Sequence, residues 1–123
     1  MKKVAVVLLT LVFTATAFAG VNSKDVKKVE DNLLVGLNSD NLGLKTSSAY
    51  FLGEYGTSHS VNALMSVLKN GQTEEERISA AVALMKINTE QAKFAVKQRA
   101  KFDDSERVRR LCAMFSAQNE ETN

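Results

Sequence analysis

The sequence predicts an all-α fold, a short stack of about three αα-hairpins, and three observations lead there. A pattern recurs every 32 residues: residues 44–56, 76–88 and 108–120 align so that Ser48-Ala49, Ala80-Ala81 and Cys112-Ala113 share one place, Leu52 and Leu84 the next, and Tyr55 and Ile87 another. A period of 20–50 residues marks supersecondary units that bury their apolar faces only against their neighbours. Apolar residues fall at helical spacing, i, i+3, i+4, through the chain after Ser23. Proline is absent, and the strict alternation of a half-buried strand is not found.

Taken in order, the first helix is expected over 24–38, with Ser23 as N-cap and Val26, Val29, Leu33 and Leu37 on its apolar face. Asn38-Ser39-Asp40-Asn41 favours a turn. The second helix is expected over 42–55, with Leu44, Ser48, Phe51, Leu52 and Tyr55 inward and Gly56 suited to a left-handed cap. The third follows Thr57 or Ser58, carries Val61, Leu64, Met65 and Leu68, and stops at Asn70-Gly71. The fourth opens on a capping box, Thr73 to Glu76, in which the Thr side chain accepts from a free backbone N–H and Glu76 reaches back. Ile78, Ala81, Val82 and Met85 form its stripe, with Ala80, Leu84 and Ile87 beside it. The fifth spans 90–102 with a weaker face of Ala92, Ala95, Val96 and Ala100, and Asp103-Asp104-Ser105 ends it. The sixth spans 106–117 and buries Val108, Leu111, Cys112 and Phe115, leaving 118–123 as a polar tail that frays. Helices of this length joined by a few polar residues pack as antiparallel neighbours.

The residues ahead of this array have a different purpose. Lys2 and Lys3 precede an apolar run over 4–13, and Ala17-Phe18-Ala19 places small residues three and one positions before Gly20. This is the order of a secretory signal peptide over 1–19, cleaved between Ala19 and Gly20. The apolar stretch over 4–19 contains three threonines and is shorter than the roughly 20 residues of a spanning helix. The expected product, residues 20–123, is one periplasmic or secreted domain with no integral membrane segment. The chain's formal charge of +2 comes from Lys2 and Lys3, so the processed product is neutral. That balance gives no support for nucleic acid or an anionic membrane as partner.

Catalytic and metal patterns are missing from the reading. His59 is the single histidine and lies at a helix start, where Ser58 and Ser60 do not point at it as a nucleophile points at its base. Cys112, the single cysteine, occupies an apolar helical place and reads as a small buried hydrophobe. One His and one Cys fall short of a zinc site. Gly53-Glu54-Tyr55-Gly56 lacks the strand before and the Lys-Ser/Thr after that define a phosphate loop. Lys93, Lys97 and Lys101 form a stripe at i, i+4, i+8 on the fifth helix, followed by Arg107, Arg109 and Arg110; acidic residues lie among them. A solvated face accounts for such a stripe, and it is also the first place to seek a charged contact.

The recurring residues resemble the HEAT repeat family in its short bacterial form. Its first-helix signature of an apolar-Arg pair, a small pair, then Leu-Gly and an apolar residue before Gly is matched by Ser48-Ala49, Leu52-Gly53, Tyr55 and Gly56, then by Arg77, Ala80-Ala81, Leu84 and Ile87, then by Val108-Arg109 and Cys112-Ala113. Lys45 replaces the Arg, Glu76 fills an apolar place, Met85 and Ala117 replace Gly, and the last unit lacks its second helix. Armadillo-type repeats are the near alternative. The resemblance implies a right-handed α-solenoid that binds another protein, with Lys93, Lys97 and Lys101 on the second helix of a unit, the side lining the concave surface in such arrays. It implies no reaction and no cofactor. The expected function is a protein-binding or scaffold module of the cell envelope, monomeric, with Arg109, Arg110 and Met114 covering the last face. The alternatives are self-assembly through the array ends and, further off, a lyase or chaperone-like enzyme on the same repeats.

Overall fold

A computed structural model of the chain describes residues 22–122, so the expected cleavage site at Ala19 and Gly20 lies outside the described residues. Six α-helices and one short 3₁₀ turn follow one another, with no strand among the described residues: α1 (Ser23–Leu37), α2 (Leu42–Tyr55), the turn Ser58–Ser60, α3 (Val61–Asn70), α4 (Glu74–Ile87), α5 (Glu90–Phe102) and α6 (Glu106–Glu121).

Side-chain caps start most of these helices. Asn41 accepts from Leu44 N, Thr73 from Glu76 N, Thr89 from Ala92 N and Ser105 from Val108 N, each satisfying a first-turn donor that has no partner within the helix. The expected capping box at α4 forms with its return bond one residue earlier: Glu76 Oε2 accepts from Gln72 N at 2.9 Å. At α1 the cap is Asn22, not Ser23; the Asn22 side chain accepts from Lys24 N. Gly56 does not adopt the left-handed conformation expected of it, having φ −72°. That conformation falls instead on Asn88 at φ 63°, where α4 must turn within two residues into α5. The tail expected to fray continues α6 as helix through Glu121.

The close neighbouring pairs are α1 with α2, α3 with α4 and α5 with α6, while α2, α4 and α6 also pack in series and α3 touches α5. The last repeat helix is therefore paired with the helix before it. The core runs along α2, α4 and α6 through Leu52, Ala80, Ala81, Leu84, Val108 and Cys112, closed from the other row by Leu64, Leu68, Ala92 and Val96. Small residues set the spacing. A Cβ on Gly53 would lie 2.9 Å from Ala83 Cα, so α2 and α4 approach closely enough to require glycine there.

The face assigned to α2 is only partly right. Ser48, Ala49 and Leu52 are buried, but Leu44, Phe51 and Tyr55 are exposed, as is Val29 of α1. Helical spacing identifies two apolar stripes on α2; among the described residues only the stripe toward α1 and α4 has a neighbour.

Polar contacts repeat with the period of the sequence. Lys86 hydrogen-bonds Glu54, 32 residues away. Arg107 reaches Glu75 over the same separation, at 3.2 Å. Asn119 Nδ2 donates to Asn88 Oδ1 at 2.8 Å and Ser105 Oγ to Glu74 Oε1 at 2.5 Å, each 31 residues apart. Residues one repeat apart are thus spatial neighbours.

Candidate interaction surface

Two buried polar clusters tie the rows together and can be set aside from function. In the first, Glu30 of α1, 4% exposed, accepts from Thr57 N at 2.9 Å, from the Thr57 hydroxyl at 3.1 Å and from the Ser60 hydroxyl. Burial opposes ionisation of this carboxyl, but the hydrogen bonds from Ser60 and Thr57 outweigh it and hold the group below its ordinary range. Ser60 is fully buried and its proton is committed to Glu30, so it offers no nucleophile; His59 beside it contributes a backbone N–H to the Thr57 cap.

The second cluster centres on Asp103, 3% exposed. Arg77 meets it with two parallel bonds, Nε to Oδ2 at 3.1 Å and Nη2 to Oδ1 at 3.2 Å, while Asp103 Oδ1 also accepts from Ser105 N. Arg99 Nε lies 3.3 Å from Oδ2, in ionic contact but outside hydrogen-bond alignment. The sequence offered Asp103 as part of a turn that ends one helix and caps the next; that it is buried depends on Arg77, which is 26 residues away. Cys112 is fully buried, and burial, with Asp103 adding to it, raises its thiol to about 11. A thiol so raised is protonated at neutral pH and is a poor nucleophile.

The lysine stripe of α5 divides. Lys93 Nζ pairs with Glu90 at 2.9 Å and Lys97 Nζ with Glu120 of α6 at 2.6 Å. Both line a small polar cavity of about 170 Å³ with Ser116, where the charges satisfy one another. Lys101 is exposed and has no ionic partner among the described residues. The three lysines do not act as one patch.

A different surface lies on the other edge of α5. Between α3 and α5 runs a groove of about 290 Å³ lined by Met65, Leu68, Lys69, Phe94, Ala95 and Phe102. Phe94 and Phe102 are 63% and 68% exposed, so its aromatic rims stand in solvent. Lys69 is exposed at one end without an ionic partner among the described residues, and Lys101, two turns on from Phe94, shares that side of the helix. The sequence reading missed the two phenylalanines because they lie off the Ala92–Ala95–Val96 face. Their signal was present as large apolar residues outside the buried stripe of α5.

Among the described residues no group of His, Cys, Asp or Glu is placed to hold a metal ion, and no helix is long and apolar enough to cross a membrane. Compared with protein-family models and with curated proteins, the sequence matches none.

Proposed function

We propose that this protein is a non-enzymatic binding module of the cell envelope, exported and cleaved after Ala19, in which stacked HEAT-like hairpins form a short right-handed α-solenoid. The repeat-spaced contacts support the stacked reading: a translated unit must bring position i close to i+32. The signal-like order of residues 1–19 supports export.

The observation that carries the binding role is the α3–α5 groove. Exposed aromatic side chains flanking an apolar cleft are what interaction surfaces enrich. With Lys69 in its lining and Lys101 on the Phe94 side of α5, the groove suits a segment of another protein that brings apolar side chains and carboxylates together.

The test is capture of a partner from an envelope fraction, followed by titration of that partner against the wild type and against the double variant Phe94→Glu, Lys101→Glu. Both positions are exposed, so the variant should keep its helical circular dichroism. The expected result is a loss of affinity of about tenfold or more. Unchanged affinity would remove the groove from consideration. A Met1-containing chain in the membrane pellet would overturn the cleavage.

A further inference from the structure

Among the described residues the row α2–α4–α6 has two open ends, and the repeat register says what each end is shaped for. In this row each inner helix turns one set of positions back toward its predecessor. In α4 these are Glu76, near Lys45, and Ala83, against Gly53. In α6 they are Val108, buried in the core, Phe115, which shares a cavity with Val82 and Met85, and Asn119, bonded to Asn88. One repeat earlier the same positions of α2 are Leu44, Phe51 and Tyr55, which are 51%, 44% and 59% exposed. The forward-facing positions are Tyr50 of α2, whose ring Lys86 approaches to 4.6 Å while 53% of the residue stays exposed, and Gly53, against Ala83, then Val82 and Met85 of α4, which share a cavity with Phe115. One repeat later they are Met114, 46% exposed, and Ala117, exposed.

We propose that the protein associates head to tail, the Leu44–Phe51–Tyr55 face of a second copy docking on the Met114–Ala117 face of α6 so that the row continues from one chain into the next. The occupant follows from continuity: the two ends carry the two halves of an interface that the chain already makes twice within itself, between α2 and α4 and between α4 and α6. The polar positions agree. Arg77 clamps Asp103 in the loop ahead of its successor, and Arg109, one repeat on, bonds the Asp103 and Asp104 carbonyls of its own loop. The register places Ser39 of the incoming copy, with Asp40 next to it, opposite Arg109, as Asp103 lies opposite Arg77. Ser39 already holds the equivalent loop, its Oγ accepting from Asn41 N as Asp103 Oδ1 accepts from Ser105 N. The two faces differ, so the contact is heterologous and, unless its rotation closes a ring, grows an open chain. This departs from the monomer expected from the sequence, where Met114 was read as part of a cover.

The inference rests on the stacked-repeat reading but not on the groove. Sedimentation of protein purified after expression of the full chain should show a mass that rises with concentration beyond a dimer. Phe51→Glu and Met114→Glu should each sediment as monomers with unchanged helicity, since both side chains are exposed in the single chain. Mixed in equal amounts they should form a dimer and nothing larger, because each variant keeps one intact face. A wild type that stays monomeric into the millimolar range, a dimer that does not grow, a mixture that stays monomeric, or loss of association on Phe94→Glu would each overturn the proposal. An intrachain crosslink between Glu54→Cys and Lys86→Cys reports the α2–α4 stacking separately: formed in a monomeric protein it sinks the association alone, and its absence sinks the stacked reading too.

Discussion

The α2–α4 junction and the α4–α6 junction use the same places of the repeat and different chemistry. At the second, Arg77 holds the buried carboxylate of Asp103 bidentately. At the first, the corresponding residues are Lys45 and Gly71, and glycine supplies no carboxylate. Lys45 turns to Glu76 instead, at 3.4 Å and with more of its side chain in water. Arg77 still donates Nη1 to the Gly71 carbonyl at 2.7 Å, and Arg109 repeats that bond to the Asp103 carbonyl. The register therefore determines where a contact is made, and the residue at hand determines how strong it is.

The largest expected effect tests the register across three equivalent positions. Ala49, Ala81 and Ala113 share one place, but the first two are fully buried and the third is exposed. Ala49→Asp and Ala81→Asp should each destabilise by roughly 4 kcal/mol or more, because an unpaired carboxylate is left in the core, out of a total near 5–15 kcal/mol. Ala113→Asp should lose less than about 1 kcal/mol, the scale of helix propensity. Urea midpoints measure all three, and equal losses would mean that the place of Ala113 is as covered as those of Ala49 and Ala81, against the difference in exposure.

Next in size is the contrast between junctions. Asp103→Ala should cost about 3–5 kcal/mol, since it strands the Arg77 guanidinium in a buried site. Lys45→Ala should cost about 1 kcal/mol or less, because Glu76 keeps its bond from Gln72 N and the lysine is partly solvated. The same urea series reads both, and a reversed order would mean that the first junction is the stronger.

The smallest effect is in pH. Glu30 has its carboxyl lowered in the fold, so its contribution is present above the ordinary value of 4.5 and is lost as pH falls through the folded value. Stability should decline on acidification below 4.5, and Glu30→Gln should flatten that part of the profile. Thermal midpoints of the two proteins between neutral and acid pH decide it; parallel curves would take Glu30 out of the acid response.

How much of this was legible in the chain depends on range. Thr73, Thr89, Ser105 and the three-residue acidic start of α4 are local signals, and each helix began within a residue or two of where they place it. One local miss, the left-handed cap at Gly56, arises because glycine permits that conformation without requiring it, whereas the short link from α4 to α5 imposes it on Asn88. The apolar faces were legible on helices with neighbours on one side. They were ambiguous on α2, where Leu44, Phe51 and Tyr55 have helical spacing as regular as that of the buried stripe.

The sequence by itself determined the six helices, the N-caps Thr73, Thr89 and Ser105 and the period of 32, because helix formation and capping are settled by residues within a turn or two of one another, and a repeat is visible as self-similarity. Tertiary structure alone decided that Asp103 is a buried hub, that Glu30 staples α1 to the turn before α3, that Lys93 and Lys97 are neutralised while Lys101 is not, and that Phe94 and Phe102 rim a groove. The physical reason is the same in each case. Burial and ionic pairing depend on which surface a neighbour covers, and that neighbour lies 20 to 30 residues away in the chain for most of these groups, beyond the reach of any local pattern.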